Sequence, residues 1–441
     1  MSHEYDNPFF YRSPIRDAAF FFGRQTETEQ AFLLLKKSQS VAIVGPRRIG
    51  KTSLLLHLAD STMHAAFHLA ADRYCFVVLD CQGWGSDTVG EVLSRLLEEA
   101  TRALVQSGRQ SASAPIASSI SFRAFEQAIR GVVEQGIQLV FLLDEFEVLC
   151  ANSRLDADLF SGLRSLAMRY GIAFATVSTR PLLELPEVGQ GGLSSPFFNF
   201  FAQLRLYPFS LSEARTMLAE LSTRGGWPFS NEAITLLLEL AGPHPFLLQI
   251  AAFHTFAMLT QPGATLDSSH TEIRRRFLSD AESHWRVFWE RLAPIDQRVL
   301  ALLAVADRGD QVAVERLIGA GVVLRSGATA VPLSPAFAAF VERQLVTGLL
   351  KAPPITIDPT RRIALLHGQP LTLGPVEYAL LVCLVERSGE IVSHSDIEQT
   401  VWGAPSGDGL KMALKALRRA LGTDEDCIKN VRGMGYRFEP Q

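Results

Sequence analysis

A glycine-rich segment that ends in a lysine and a hydroxyl residue gives the clearest chemical signal in this sequence. It reads Gly45-Pro46-Arg47-Arg48-Ile49-Gly50-Lys51-Thr52, followed by Ser53, and fits the spacing Gly-x-x-x-x-Gly-Lys-Thr. Glycines let backbone N–H groups curl around phosphates, Lys51 directs a charge at the β- and γ-phosphates, and the Thr52 hydroxyl binds Mg²⁺. The segment therefore predicts a site for ATP and Mg²⁺.

Two adjacent carboxylates, Asp144 and Glu145, follow the apolar run Leu139–Leu143. In a phosphate site, Asp144 would hold the metal through water or through Thr52, and Glu145 would polarise the attacking water as a general base. This pair favours hydrolysis over binding alone. The alternative interpretation is a pair of solvated carboxylates at a strand end.

A third apolar run ends at Ser178-Thr179-Arg180. A hydroxyl here could sense the γ-phosphate, and Arg180 could stabilise charge in its own site or across a subunit boundary. A helix N-cap formed by Ser178 or Thr179 before a proline fits the same residues, and both interpretations stay open.

Short strand-like runs alternate with helical patterns in the first half of the chain, at Val41–Val44, Phe76–Leu79, Leu139–Leu143 and Ile172–Val177. This alternation predicts an α/β fold in which helices flank a parallel sheet. Helical periodicity then dominates from Ser212, as in Glu232–Leu240 and Phe246–Leu259. A helix near 296–306 and a glycine-broken ribbon near 321–333 predict a small winged helix.

These patterns predict four domains: an ATPase core with an N-terminal arm at 1–210, a helical lid at 211–289, a winged helix at 290–350, and a second winged helix at 355–441. The segment Lys351-Ala352-Pro353-Pro354 is interpreted as a stiff connector before the last domain.

The composition limits the partners and the compartment. The formal net charge of −4 gives no chain-wide attraction to polyanions, so any nucleic-acid site must be local. The five cysteines are an odd number and contain no Cys-x-x-Cys pair, which favours a reducing compartment. No apolar stretch is long enough for a membrane span, so we expect a cytoplasmic protein without membrane contact.

The first 345 residues resemble the STAND branch of AAA+/P-loop ATPases. Besides the two motifs, Asn7-Pro8-Phe9 and Phe22-Gly23-Arg24 match the family's arm, and the resemblance implies that this arm, with Gly23 and Arg24, closes over the adenine. Apolar docking of the arm on the core is the alternative, and both can hold. Gly242-Pro243-His244-Pro245 resembles the family's Gly-x-Pro lid element, which implies a nucleotide contact by Pro245; the family commonly has a second glycine where Pro243 stands.

The last 85 or so residues resemble the OmpR/PhoB-type DNA-binding domain, above all in Val431-Arg432-Gly433-Met434-Gly435-Tyr436-Arg437-Phe438. A predicted recognition helix at Gly409–Leu421 places leucines on one face and cations elsewhere. The expected contacts to double-stranded DNA are Lys411, Lys415, Arg418, Arg419, Arg432 and Arg437. A solvated helix face is the alternative, since residues 351–441 hold eleven basic and eleven acidic side chains.

The leading hypothesis is therefore an ATP-binding and ATP-hydrolysing STAND-like switch that controls a winged-helix DNA-binding domain in transcription regulation. Association with further copies of the chain in the ATP state stays open. Two alternatives remain: an oligomeric DNA-bound AAA+ motor or loader, and a nucleotide-stabilised scaffold that uses its winged helix for protein contacts.

Overall fold

The computed structural model describes residues 5–109, 116–185, 197–305, 311–327, 329–346, 350–352, 354–358, 363–431 and 433–439. The chain divides into two compact units, Met1–Ala339 and Phe340–Gln441. Within the described residues, no helix combines the length and the apolar character that crossing a bilayer requires.

A parallel sheet forms the centre of the first unit. Over the described residues it contains, in the spatial order β2-β3-β4-β1-β5, the strands β1 (Ser40–Val44), β2 (Tyr74–Asp80), β3 (Gln138–Asp144), β4 (Ala173–Ser178) and β5 (Phe201–Arg205). The first four coincide with the predicted apolar runs, because a sheet covered on both faces buries most strand side chains. In β2, which lies at one edge, only Cys75, Val77 and Leu79 are buried. The fifth was not predicted: only Leu204 of β5 is buried, so this edge strand lacks the apolar run that marks the others.

Helices cover both faces of the sheet. They are α1 (Gln25–Leu35), α2 (Lys51–Leu58), α3 (Ser61–Ala66), α4 (Val89–Gln106), α5 (Phe122–Val133), α6 (Glu147–Cys150) and α7 (Ala157–Tyr170). Along β3, Phe141 packs into the core beneath α4, α5 and α7, whereas its neighbour Leu142 packs into the core beneath α1 and α2. This alternation follows from the pleat of the strand, which directs successive side chains to opposite faces.

The sheet register brings the chemistry-bearing strand ends to one edge. Val44 at the end of β1 lies opposite Ser178, and Asp80 lies opposite Asp144. The phosphate-binding segment, the acidic pair and the Ser-Thr-Arg segment all follow at this edge, where the carboxyl ends of parallel strands form the usual ligand crevice of α/β folds.

Over the residues that the structure describes, the first unit beyond β5 consists of helices and a hairpin. The predicted lid contains α8 (Leu211–Arg224), α9 (Asn231–Ala241), α10 (Pro245–Leu259) and α11 (Leu266–Glu290). The predicted winged helix follows with α12 (Pro294–Val305), α13 (Gln311–Gly319), β6 (Val323–Ser326), β7 (Thr329–Pro332) and α14 (Pro335–Val346). The chain passes from the first unit to the second within α14.

The second unit begins with short strands, continues with helices and ends in a hairpin. Its elements are β8 (Leu350–Ala352), β9 (Ile355–Asp358), β10 (Ile363–Leu366), β11 (Gln369–Pro370), α15 (Pro375–Glu386), β12 (Ile391–Ser393), α16 (His394–Trp402), α17 (Gly409–Leu421), β13 (Ile428–Val431) and β14 (Gly435–Phe438). The first sheet has the order β11-β10-β9-β8, and the second the order β12-β14-β13.

The interpretation of residues 351–354 as a connector was wrong in its first half. Leu350–Ala352 forms strand β8, and Lys351 pairs antiparallel with Thr356 of β9. Pairing satisfies the backbone groups of this short segment, and Ala352 is buried. Pro353 lies outside the described residues.

Candidate functional site

The phosphate-binding segment forms a loop between β1 and α2. Its last glycine, Gly50, has φ 101° and caps α2, which begins at Lys51. A left-handed φ of this size strongly favours glycine, and it turns the chain directly into the helix. The first N–H groups of α2 therefore face the loop, as an anion site requires.

A cavity of about 340 Å³ lies against this loop, which is within the size range of small-molecule sites. Several side chains expected to bind nucleotide line it: Arg47, Arg48, Gly50, Lys51, Thr52, Ser53, Glu145 and Pro245. Lining residues that sequence reasoning did not assign as ligand contacts come from the arm, the lid and the end of β4: Phe10, Tyr11, Ser13, Pro14, Ile15, Phe22, Thr179, Phe209, Met217, Phe246 and Gln249.

The other predicted loop residues pack against the protein interior and do not line the cavity. Ile49 is fully buried, and a side chain at Gly45 would lie 2.9 Å from the Leu206 carbonyl oxygen. Pro46 accepts a hydrogen bond from Lys51 Nζ at 2.9 Å. These three residues lie outside the cavity lining, and they fix the curvature of the loop.

Lys51 is largely buried at the bottom of the site. Burial lowers its pKa to about 8, against the opposing effect of the carboxylates of Glu147, Glu145 and Asp144. The carboxylates favour the charged form of Lys51, and a bound phosphate would replace the solvation that burial removed from the ammonium group.

The acidic pair lies beside Lys51 at the end of β3. Asp144 is hydrogen-bonded to the Thr52 hydroxyl and accepts a bond from the Glu145 N–H at 3.0 Å. Burial raises the pKa of both carboxyl groups, and the neighbouring carboxylates add to the effect at Glu145. Glu145 has φ 49°, which is unusual for a residue other than glycine, and its side chain lines the cavity.

Glu147 is a site residue that sequence reasoning missed. Its carboxylate accepts hydrogen bonds from the Thr179 N–H and from the Thr179 hydroxyl, and it is the strongest charge partner of Lys51. It therefore joins the ends of β3 and β4 beneath the cavity. The only sequence signal was a third carboxylate two positions after the acidic pair.

The end of β4 contributes one of its two hydroxyl residues to the cavity lining. Ser178 is buried and donates its hydroxyl to the Arg180 carbonyl oxygen at 2.7 Å, so it lies outside the cavity lining. Thr179 lines the cavity. The Arg180 side chain is exposed and lies outside the lining. The short helical turn that follows is capped by Pro181 without a side-chain bond, which does not match the N-cap alternative.

The N-terminal arm docks on the lid and also borders the cavity. Phe9 is buried and stacks on Phe229 with ring centroids 5.4 Å apart. The Phe10 N–H donates to Gln249 Oε1 at 3.1 Å, and the Ile15 N–H donates to Ser53 Oγ at 3.1 Å. Apolar docking and a place beside the nucleotide cavity, the two interpretations of the arm, are thus compatible.

One hydrogen-bonded group fixes the arm to two lid helices. The Tyr11 hydroxyl donates to Asp280 Oδ2 at 2.8 Å, and His254 Nε2 lies 2.8 Å from the same oxygen. Burial alone would raise the pKa of Asp280, but these hydrogen bonds outweigh it and the pKa is lowered. Asp280 therefore links α11, α10 and a residue that lines the cavity.

Gly23 and Arg24 lie outside the cavity lining. The buried Arg24 guanidinium donates to the carbonyl oxygens of Ile49 and Tyr207, at 3.1 and 2.6 Å. A side chain at Gly23 would lie 2.8 Å from the Phe209 ring. Arg24 therefore holds the phosphate loop against the segment that enters the lid, and Gly23 packs on that segment.

The Gly-Pro-His-Pro segment presents one proline to the cavity. Pro245 lines the cavity, whereas His244 is fully buried outside it, and burial lowers the pKa of this imidazole to about 3. Gly242 has φ 59°, and a side chain there would lie 2.0 Å from the Leu333 carbonyl oxygen. This close approach packs the lid against the first winged helix.

The first winged helix also contacts the phosphate loop. Gly321, just before β6, has φ 72°, and a side chain there would lie 2.9 Å from the Pro46 ring. A side chain at Gly319 would lie 3.0 Å from the Arg205 guanidinium, at the end of β5. The winged helix within the first unit is thus in van der Waals contact with the nucleotide machinery.

The predicted recognition helix coincides with α17 (Gly409–Leu421). Its leucines are buried as expected, and Lys411, Lys415 and Arg419 are exposed. Arg418 is half-buried and donates to the Ile428 carbonyl oxygen at 2.8 Å, so one of its donors is used inside the domain. Arg437 pairs with Glu439, and Arg432 lies outside the described residues.

Two comparisons concern the first unit. A family model described as Novel STAND NTPase 2 matches residues 35–308. Among solved structures, the Walker-type ATPase PABY2304 of Pyrococcus abyssi superposes with a TM-score of 0.54 at 14% identity, over 75% of this chain and 98% of its own. This likeness concerns the fold.

Two further relatives match the second unit. A family model described as Transcriptional regulatory protein, C terminal, matches residues 368–438. Response regulator protein PmrA of Pseudomonas aeruginosa is 40% identical over 100 residues, which is 22% of this chain and 42% of that protein. Transcriptional regulatory protein QseB of Escherichia coli O157:H7 is 38% identical over 85 residues, 19% of this chain and 38% of that protein. The matches thus span less than half of each relative.

Proposed function

Since the chain belongs to the Novel STAND NTPase 2 family, we propose that it is an ATP-dependent switch that controls DNA binding in transcription regulation. The chain joins an NTPase to a transcription-regulator DNA-binding domain. In the proposal, ATP with Mg²⁺ binds the first unit, and the nucleotide state sets how the second unit binds double-stranded DNA.

The residues around the cavity fit this ligand. The loop and the start of α2 offer backbone N–H groups, Lys51 offers a buried charge, and Thr52 with Asp144 forms an oxygen pair suited to Mg²⁺. When bound, the metal would neutralise charge on the triphosphate. Glu145 lines the cavity with a raised pKa, and it would take a proton from water as the general base.

One observation carries the proposal: the cavity is bounded by the phosphate loop, the arm and the lid together. A ligand there contacts all three, so it favours the arrangement in which they are closed. Because a ligand shifts populations only through its different affinity for two arrangements, ATP and ADP must differ in their contacts to the γ-phosphate. Thr179 and Glu145 are the polar lining residues best suited to make that difference.

The test is footprinting of the full chain on the DNA upstream of its own gene, at fixed salt, without nucleotide, with ADP and with ATP. We expect the DNA dissociation constant to change by about tenfold or more between nucleotide states, a typical coupling. Glu145→Gln should prevent ATP hydrolysis, so the DNA affinity measured with ATP should stay constant over time. Lys37→Ala, which changes an exposed lysine on the first unit, is the matched control. Equal affinity in all three states contradicts the switch.

A DNA-bound motor or loader is the second candidate, and the exposed Arg180 favours it. Such machines need an arginine supplied to a neighbouring subunit's site, and Arg180 is exposed beside the β4 end. Glu145→Gln separates the two functions: the switch stays trapped in its ATP state with DNA binding retained, whereas the motor loses its output. Arg180→Ala should abolish hydrolysis in the motor only when copies of the chain associate.

A further inference from the structure

The exposed face of α17 carries an apolar strip beside its cations. Met412 is 72% exposed, and Ala416, one turn later, is exposed as well. At about 100° per residue, these two side chains follow each other along the helix, next to the row formed by Lys411, Lys415 and Arg419. The other apolar residues of this helix that face the domain are buried: Leu410, Ala413, Leu414, Leu417 and Leu421.

We propose that Met412, supported by Ala416, reads the C5-methyl group of thymine in the major groove, which makes Met412 a specificity-determining residue. The proposal rests on the proposed DNA binding by the second unit and names the base that this unit selects. Thymine is the one base that presents an apolar group in the major groove. An exposed methionine suits that group, because its flexible thioether adapts to an irregular apolar surface.

The position of Met412 on the helix agrees with this role. It is the fourth residue of α17, and the first residues of a recognition helix are those that meet base edges. Helix α17 itself contains no acidic residue, and the nearest carboxylate is that of its N-cap, Asp408. Lys411 lies 3.3 Å from Asp408, but both side chains are at least 80% exposed, so this pair is weak in water and leaves the lysine available for a phosphate.

The charge pattern favours DNA over a protein as the occupant of this face. The strip is bordered by three exposed cations, which can bind the phosphates beside a groove, whereas a protein partner of an apolar strip needs no such row. A second copy of the chain would place these cations against one another, which is repulsive.

The experiment uses the full chain and a duplex chosen by selection from random sequences. Each thymine of the selected site is replaced in turn by deoxyuridine, which lacks only the C5-methyl group. We expect at least one position where this replacement weakens binding about fourfold, which is the loss of affinity expected when one buried methyl group is removed. Met412→Ala should bind the thymine and deoxyuridine duplexes equally at that position. Met168→Gln, which changes a 73% exposed methionine on the first unit, should behave as the wild type.

Other results overturn the proposal in distinguishable ways. Met412 does not read thymine if Met412→Ala still distinguishes the thymine duplex from the deoxyuridine duplex. The same conclusion follows if the wild type binds every deoxyuridine duplex as tightly as the thymine duplex. In both cases the proposed DNA binding is unaffected. Loss of self-association in Met412→Ala with unchanged discrimination would assign the strip to a second copy. Absence of duplex binding by the wild type would refute the proposed function together with this inference. Lys415→Ala should weaken both duplexes equally, as a phosphate contact does.

Discussion

The lowered pKa of Lys51 predicts that nucleotide affinity falls in mildly alkaline solution. Burial lowers this pKa to about 8, although three carboxylates oppose the shift. Only the charged ammonium attracts phosphates, and a bound triphosphate should raise the pKa again. The affinity that Lys51 provides is therefore present below pH 8 and is lost as the pH rises above it, the direction expected for a lysine that gains an anionic partner on binding.

The size of the effect follows from the fraction of Lys51 that is protonated in the free protein. With a pKa of about 8, affinity should fall about 25-fold between pH 7.5 and 9.5, provided that the lysine stays charged in the complex. Calorimetric titration with MgATP measures this directly. Titration in buffers of different ionisation enthalpy should also show uptake of a proton on binding at pH 8.5.

Lys51→Arg is the matched control, because a guanidinium group stays charged throughout this range. Its MgATP affinity should be lower at pH 7.5, since the planar group is larger, but it should change little up to pH 9.5. Any change of MgATP affinity with pH that remains in this variant comes from groups other than Lys51. A wild-type affinity that is constant from pH 7.5 to 9.5 would refute the reasoning.

Three other changes test the contacts around the cavity. Gly242→Ala should lower the free energy of unfolding by about 3 kcal/mol in urea titrations, since it combines a strained φ with a clash; Gly263→Ala, at a similar φ in open space, should cost about 1 kcal/mol. Asp280→Asn should raise the dissociation constant for MgATP about tenfold in calorimetry, because it weakens the bonds that fix the arm; an unchanged value would show that the arm docks independently. Glu147→Gln should move the pH midpoint of MgATP affinity below that of the wild type, because it removes the strongest charge that holds Lys51 protonated; a midpoint at or above the wild-type value would contradict that assignment.

Local sequence patterns predicted much of the fold and the centre of the site. Apolar runs bounded by glycine or charge predicted β1 to β4, because buried parallel strands have no polar face to interrupt the run. The loop and the acidic pair were recognisable because their chemistry needs fixed residue types at fixed spacing. β5 escaped notice because only Leu204 of this strand is buried, and β8 because it is three residues long and is followed by Pro353.

Contacts between distant segments could not be predicted from local signals. Glu147 resembles an ordinary residue at a helix start until its carboxylate is seen on Thr179, 32 positions away. Arg24 and Arg418 carry the right charge for ligands, but they donate to backbone carbonyl oxygens. A sequence pattern gives the position of a long cationic side chain, whereas the packing around it decides which acceptor it meets.

Two glycines of the first unit mark the places where the phosphate loop and the lid pack against the winged helix behind the lid. Gly321 packs on Pro46 of the phosphate loop, and Gly242 packs on the Leu333 carbonyl oxygen, at distances that leave no room for a side chain. Packed atoms cannot interpenetrate, so a displacement of either partner must move the other or open the contact. In the proposed switch, a ligand that moves the phosphate loop, and Pro46 with it, would act on the turn before β6 without a movement of the lid helices. For this reason, communication from the nucleotide should begin at the loop itself, with the lid as a second and separable route.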